Sequence, residues 1–527
     1  MKNLLSLIFL LTVSITALTA QSGTVRGRLT DELGLPLPGS NAYIDGLEAV
    51  AVSDIEGEFI LLDIPSGSHN LVVKYIGYQT LEQTIEVSAG QTTELDLSMS
   101  PGVLLGQEVL VLGDRLKGQA KALNQQKNNM NVTNIVAADQ IGRFPDANIG
   151  DAVKRIPGIT MQGDQGEARN IVVRGMAPQL NSVMINGDRV PSAEGDNRNI
   201  QMDLIPADMI QTIEVNKAVT PDMDADAIGG AVNLVTRPAP NGFRLSATAA
   251  SGVNLLTEKP IWTGSMILGN RFANNKLGVL VSATINDHDF GSDNMEAEWE
   301  REVEIDGEDV EVDPYITDLE IRQYLVRRTR RSISGSVDYR IDANNVVIAR
   351  AMYNWRDDWE NRFRKRLRKI EPLYDNGLGG GITSWEGEIE RETKGGIGND
   401  RNDNRRLEDQ RVRNFSLSGD HLFGSLRMTW MASWSRASEE RLNERYINYV
   451  LPDAVPMNVN LANPEFPEAS ALNASDVTLG QFEFDELTEE NQYTEDEDFN
   501  TRLDFELPVS LGSRAGFLKV GGRARLK

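Results

Sequence analysis

The 527-residue chain contains no cysteine and only three histidines, His69, His288 and His421. Without thiols there are no disulfides, no cysteine nucleophile and no thiolate metal site, so stability must come from packing and closed hydrogen bonding. None of the histidines has a second histidine or a glutamate at metalloprotease spacing. The serine elbow G-x-S-x-G, the dinucleotide loop and the phosphate loop are also missing. Basic charge is scarce: 53 Lys and Arg against 78 Asp and Glu leave a net charge of −25. That balance excludes a nucleic-acid binder, which needs a basic footprint to displace counterions. The acidic residues offer no readable carboxylate pair for glycoside cleavage. No catalytic residue, metal site or cofactor is expected. Past residue 20 no apolar run is long enough for a membrane helix, so a membrane-spanning chain of this composition has to be a closed β-barrel.

What is present begins with an export signal. Lys2, an apolar run from Leu4 to Leu18 and Ala20 before Gln21 read as a signal peptide over residues 1–20. Residues 21–100 then alternate apolar and polar positions in short runs such as "GEFILLDI" and "HNLVVKYIGY", broken by turns at Asp54 to Gly57 and Pro65 to Gly67, which predicts a small β-sandwich. Residues 101–125 read as a linker. It holds one apolar extended piece, "LLGQEVLVL" at 104–112, followed by a polar stretch. A short extended apolar segment can add a strand to a partner's sheet edge; it can equally be the last strand of the preceding sandwich.

Residues 126–238 mix helix and strand signals. Ile149, Ala152, Val153 and Ile156 fall on one helical face, with Asp146 or Asn148 as the cap and Pro157-Gly158 as the stop. Asn186-Gly187 is a hairpin-turn signal, Pro206 suits a first helical turn, and the pair Gly229-Gly230 before "AVNLV" predicts close backbone approach, expected against a surrounding barrel wall. Residues 239–527 carry nine strand-like segments, near 242–254, 260–272, 276–288, 322–340, 345–357, 411–420, 425–438, 497–507 and 515–527. Connections at 342–345 and 422–424 are brief, whereas 289–321, 358–410 and 439–496 read as long charged loops. Short turns on one side and long loops on the other are the layout of an outer-membrane barrel.

The segments "NIGDAVKRIPGI", "IVVRGMAPQLNSVMINGDRV", "IPADMIQTIEVNKA" and "DMDADAIGGAVNLVTRP", in this order and ahead of the strand-rich region, resemble the plug of TonB-dependent outer-membrane receptors. "GTVRGRLTD", "LPGSNAYIDG" and "YIGYQ" resemble the transthyretin-like domain named for carboxypeptidase regulatory regions, which precedes the plug in receptors of the Bacteroidetes type. The fold class expected is therefore mostly β: an N-terminal β-sandwich, an α+β plug and an incomplete transmembrane antiparallel β-barrel. The family's barrel is a 22-strand cylinder, so nine strands imply a C-terminally truncated chain. The resemblance also implies a TonB-box-like segment at Glu108, Val109, Leu110, Val111 and Leu112, and plug motifs at Arg174-Gly175, Asn186-Gly187 and Gly229-Gly230.

It implies as partners the TonB energy-transducing complex, outer-membrane lipid and an extracellular nutrient, with a surface lipoprotein as a further candidate. The sandwich-plus-plug combination resembles importers of glycans; a siderophore receptor, or a surface signalling receptor without transport, is the alternative. Trp359, Tyr374 and Trp385, set among charged residues and glycines, are the candidate ligand contacts, while Trp355, Trp430 and Trp434 read as membrane-interface girdle residues. Residues 287–320 hold 15 acidic side chains against one Arg, a solvated loop or a site for divalent cations.

Overall fold

Alternating sequence becomes strand almost throughout the chain. The computed structural model describes residues 22–32, 34–102, 115–129, 131–137, 148–194, 200–205, 207–221, 223, 227–305, 308–374, 382–396, 405–511 and 514–527. The sandwich consists of β1 (Ser22–Asp31), β2 (Asn41–Ile44), β3 (Val50–Val52), β4 (Glu58–Pro65), β5 (Gly67–Lys74), β6 (Leu81–Val87) and β7 (Thr92–Met99). They form a three-stranded sheet in the order β4-β1-β7 and a four-stranded sheet in the order β3-β2-β5-β6. Val25, Leu29, Phe59, Leu61, Leu71, Val73 and Ile85 fill the space between the sheets. The Asp54 turn forms as expected: its carboxylate accepts from the backbone N–H of Glu56 and Glu58, and Gly57 takes φ +78°.

The polar stretch read as linker is not all irregular. Helix α1 (Arg115–Asn128) forms there, from residues that include good helix formers such as Ala122, Leu123 and Lys127. Its Asn128 amide donates to the Gly39 carbonyl at 2.8 Å, tying sandwich to plug.

The plug comprises β8 (Thr133–Ala137), α2 (Ile149–Val153), β9 (Ile159–Asp164), β10 (Glu167–Val173), β11 (Asn181–Ile185), β12 (Asp188–Arg189), β13 (Ile210–Asn216) and β14 (Gly230–Thr236). A five-stranded sheet in the order β12-β11-β14-β13-β8 carries the β9–β10 hairpin and α2 beside it. Asn148 is the cap of α2, accepting from Asp151 N–H at 3.0 Å, and Ile149, Ala152, Val153 and Ile156 are buried. Asp146 and Pro206 lie outside the described residues.

The rest is one large antiparallel sheet: β15 (Arg244–Asn254), β16 (Lys259–Phe272), β17 (Leu277–Ile305), β18 (Glu308–Asp342), β19 (Asn345–Tyr374), β20 (Ile382–Gly396), β21 (Arg406–Phe423), β22 (Leu426–Val450), β23 (Val455–Asn460), β24 (Glu468–Ala471), β25 (Glu483–Leu511) and β26 (Arg514–Leu526). Between β19 and β22, β20 and β21 occupy successive stretches of one lane, so the consecutive meander has nine lanes, as many as the alternation predicts. Most described residues of the regions expected as long charged loops are instead strand continuations, while 451–482 holds only the short β23 and β24 among turns. The reason is cross-strand pairing: Arg362, Arg364, Arg366 and Arg368 on β19 meet Glu320 and Asp318 on β18 and Glu388, Glu390 and Glu392 on β20. Opposite charges on facing strands stabilise a ladder that hydropathy alone reads as coil.

The wall inverts the arrangement of a soluble sheet. On β18 the inward positions Ser332, Ser334, Ser336, Asp338 and Arg340 are buried and polar, while Ile333, Val337, Tyr339 and Ile341 point outward, 41 to 52% exposed. Neighbouring strands do the same, with Val281 on β17, Phe415 on β21 and Leu503 and Phe505 on β25 turned outward. A charge ends each outward apolar run: Asp287, Arg331, Asp357, Arg436 and Glu497. The run from Ile333 to Ile341 spans nine residues, which at ~3.3 Å per residue and a tilt of ~40° covers roughly 23 Å of height, the thickness of an outer-membrane apolar band. Trp355 sits at the band's edge between Arg331 and Arg411, whose guanidinium groups lie 4.7 and 5.0 Å from its ring. Among the described residues β15 pairs only with β16 and β26 only with β25.

If this outward face meets lipid, Val337→Arg near the band's middle should destabilise the closed wall by about 2–4 kcal/mol. Ser336→Arg, on the wet face, should not act through lipid at all. Urea titration of heat-modifiable gel migration measures both, and equal effects at the two positions would refute the assignment of faces.

Candidate functional site

Between plug and wall runs a seam of buried charge. Isoleucine, valine, leucine and methionine supply the plug's own core, which among the described residues touches the wall's buried apolar side chains at Met352, Val412 and Ala437. Elsewhere the seam is ionic. Glu167, at the start of β10, meets both Arg328 and Arg330 of β18; Arg328 also donates to the Gln165 side-chain carbonyl at 2.8 Å and to Asp358 at 3.0 Å. Lower in the plug, Asp203 meets Arg356 of β19, whose other nitrogen donates to Glu408 of β21 at 2.8 Å. Arg328, Arg330 and Arg356 are each 1% exposed. Burial would raise the Glu167 carboxyl, but Arg330 and Arg328 together hold it well below the usual carboxylate range. The Glu167 carboxylate is therefore charged at physiological pH.

That chemistry matters for movement. An apolar interface loses its hydrophobic stabilisation wholesale when it opens, whereas charged groups that part inside a wet lumen exchange one another for water. The β9–β10 hairpin carries a further cavity of about 580 Å³, lined by Gln162, Asp164, Arg169, Asn170 and Glu194, on the same side of the plug as the extended hairpins.

The plug motifs prove to be partners of one another. Arg174 and Gly175 take φ +53° and +76°, and the Arg174 guanidinium donates to the Gly229 carbonyl at 2.7 and 3.0 Å. Asn186 and Gly187, at φ +53° and +82°, close the β11–β12 hairpin; Asn186 accepts from Thr236 N–H, and Asn233 accepts from Gly187 N–H. The close approach at Gly229 and Gly230 is inside the plug, not against the wall. A Cβ on Gly229 would stand 2.1 Å from Asn181 Oδ1, and one on Gly230 2.9 Å from both Asn216 O and Val173 Cγ1. Gly230→Val is therefore expected to destabilise the plug by a few kcal/mol through overpacking and its φ of +158°. Limited proteolysis of the receptor should cut the plug faster while the barrel persists; unchanged plug resistance would count against it.

The segment Glu108 to Leu112 lies outside the described residues. Trp359 is half-buried on β19, on the outward face with Trp355, opposite Arg327 and Leu407. Tyr374 ends β19. Trp385, expected in a loop, is on β20, where its ring lies 5.9 Å from Tyr315 and packs on Leu319, Leu367, Ile389 and Met457. The structure thus brings none of the three to the cavity over the plug. Reasoning from sequence missed Arg328, Arg330, Arg356, Glu167 and Asp203; the available signal was "RRTRRSISGS", where arginines alternate in phase with the polar serine face. Residues 287–305 and 308–320 lie in the paired strands β17 and β18, and among the described residues no acidic cluster has metal-binding geometry.

Two family profiles match this architecture: a TonB-dependent receptor plug domain over residues 125–231 and a CarboxypepD_reg-like domain over residues 25–111. The chain carries the plug domain of TonB-dependent receptors. It is 30% identical over 128 residues to the vitamin B12 transporter BtuB of Photobacterium profundum, a match that covers 24% of this chain and 21% of that relative. Solved structures similar to it include a mutant ferric enterobactin receptor of Pseudomonas aeruginosa, 12% identical with a TM-score of 0.35 over 71% of this chain and 62% of that one. Another is the ferripyoverdine receptor of the same organism, 12% identical with a TM-score of 0.34 over 81% and 56%. No helix among the described residues is long and apolar enough to cross a membrane.

The receptor's sandwich docks on the short-turn end of the wall. Arg26 donates to Glu58 at 2.7 Å and to the Ala343 carbonyl, Glu58 receives Arg340 at 2.7 Å, Arg350 meets Glu56, and Arg28 donates to the Ala239 carbonyl. Burial pushes Asp54 and Glu56 up. Burial acts on Glu58 too, yet Arg26 and Arg340 overcome it and bring Glu58 down to about 2 from 4.5. A depressed carboxyl stabilises the folded arrangement fully above its ordinary value and loses that contribution as pH falls through the folded one. Docking through Glu58 should therefore hold above pH 4.5 and fade toward pH 2. Hydrogen exchange of β1 across that window should show the loss in the wild type and little pH dependence in Glu58→Gln; identical profiles would contradict it.

Proposed function

We propose that this receptor imports a bulky nutrient across the outer membrane, with force from the inner membrane drawn through the segment around Glu108 to Leu112 to displace the plug. The observation that carries the reading is the ionic seam: a folded plug with its own apolar core, held inside a polar-lined wall by Glu167 and Asp203 rather than by apolar packing. A permanent stopper has no use for such an interface; a part that moves and returns does. The sandwich faces the periplasm, where the TonB complex acts, and the extended hairpins face outward. Binding and movement account for the function, with no covalent chemistry.

We further propose a glycan as the nutrient, on the resemblance of the sandwich-plus-plug arrangement to glycan importers, with a surface lipoprotein as the partner that delivers it. The match to a protein named for vitamin B12 transport favours a compact cofactor-like ligand instead. Growth of a deletion strain on polysaccharides, ferric siderophores and corrinoids separates them. A defect confined to polysaccharides supports the glycan, a defect confined to iron or corrinoids replaces it, and normal growth on all three with a lost transcriptional response would make the protein a signalling receptor.

A further inference from the structure

Several outward-facing bases on this wall have acidic partners. Arg327 pairs with Asp287 at 2.9 Å, Arg331 with Asp357 at 2.9 Å, and Arg445 with Glu489 at 2.8 Å. In a chain with 78 acidic residues against 53 basic ones, that is the expected state. Lys365 and Arg391 break the pattern. They stand directly opposite each other on β19 and β20, in a cross-strand row that reads Met295, Ile321, Lys365, Arg391, Tyr449. Like charges in facing positions repel. Among the described residues neither meets a carboxylate; the Arg391 guanidinium lies over the Phe482 ring at 5.0 Å. Burial, and then Arg391, pushes the Lys365 ammonium below its ordinary value.

The pair lines a cavity of about 760 Å³, with Phe363, Ile321 and Phe466 as apolar walls and Asp293 at the far edge, three strands from Arg391. Lys365 and Arg391 share the outward phase of their strands, so the groove opens on the outside of the wall. Trp355 marks the edge of the lipid band. Lys365 is ten residues further along the same strand, which at ~3.3 Å per residue and ~40° tilt places the groove roughly 25 Å above the lipid. At that height there are sugars and not acyl chains.

We propose that this groove binds an acidic saccharide, a sugar carrying phosphate or carboxylate. The anion sits between Lys365 and Arg391 and relieves their repulsion, and the apolar face of the ring lies against Phe363 and Phe466. A planar guanidinium and an ammonium side by side suit one phosphate or carboxylate, the first as a bidentate donor and the second as a point charge. Such a saccharide can come from the phosphorylated core of the membrane's own lipopolysaccharide or from outside the cell. The assignment rests on the outer-membrane placement of the wall and not on which nutrient passes through the lumen.

The test uses the full-length receptor in detergent and three probes: core oligosaccharide freed of lipid, an oligogalacturonate and a neutral dextran fragment. Wild type should bind one or both acidic probes and not dextran. The double variant Lys365→Gln with Arg391→Gln should bind about tenfold or more weakly, the scale of one charge-assisted hydrogen bond. Exchanging the bases, Lys365→Arg with Arg391→Lys, should retain binding. Heat-modifiable migration of each variant checks that the wall has closed, and if the double Gln variant fails that check, Phe466→Ser, outside the strands, tests the apolar wall instead. Binding of the core alone identifies the membrane as the source, and binding of oligogalacturonate alone an extracellular one. Equal binding of dextran, no acidic probe bound, or unchanged affinity in the variants overturns the proposal. A receptor that fails to import its nutrient yet still binds an acidic probe through this pair leaves the proposal standing and removes only the transport reading.

Discussion

Glu167→Ala is expected to weaken plug seating by about 3–5 kcal/mol, the usual effect of removing one member of a buried ion pair. The size follows from what is left behind. Arg328 and Arg330, each 1% exposed, lose the carboxylate they share, and two guanidinium groups on the same inward face then repel across a dry seam. Arg328 retains Asp358, so the greater share of the loss falls on Arg330. Glu167→Gln should cost less, since an amide still accepts a hydrogen bond. In planar bilayers the Ala variant of the receptor should begin to conduct at lower urea than wild type. Identical opening thresholds would mean that the plug is held by something other than the ionic seam.

Val111→Pro should abolish uptake and leave ligand binding unchanged. Strand addition to a partner uses backbone N–H groups and alternating apolar side chains, and proline removes a donor that the ladder needs and locks φ at about −65°, away from the strand value. The expected loss is complete, because energy transfer fails as a unit. Cells carrying the full-length variant and transporting at the wild-type rate would show that the transducer contacts another part of the chain.

Much of the architecture is legible in the sequence because period-2 alternation survives wherever one face is apolar: "RSISGSVDYRI" announces both the strand and its inverted polarity. The nine lanes follow from that. The extracellular strand extensions are not legible, since Arg364 and Glu390 are each charged and only their pairing across β19 and β20 reveals a sheet. Single-sequence patterns carry no information about partners on other strands. The same limit explains Gly229 and Gly230: the need for small residues is plain, but that Asn181 and Val173, rather than the wall, crowd them is a tertiary fact. Trp385 illustrates a third case. Glycines before it suggest a loop, whereas its burial against Leu367 and Ile389 makes it a packing residue. The plug motifs, by contrast, are readable because turn chemistry is local, and Asn186-Gly187 needs its positive φ whatever surrounds it.

The absence of cysteine allows a direct test of plug movement. Ser435 on β22 is fully buried at the seam, bonded to Asn414, which also reaches Asp188 of the plug. A Ser435→Cys receptor in living cells can be labelled by a maleimide only if the plug leaves the wall. The account predicts labelling that rises when nutrient is present and the inner membrane is energised, and that falls to background when the proton-motive force is collapsed. Labelling at the same rate with and without energy would contradict it.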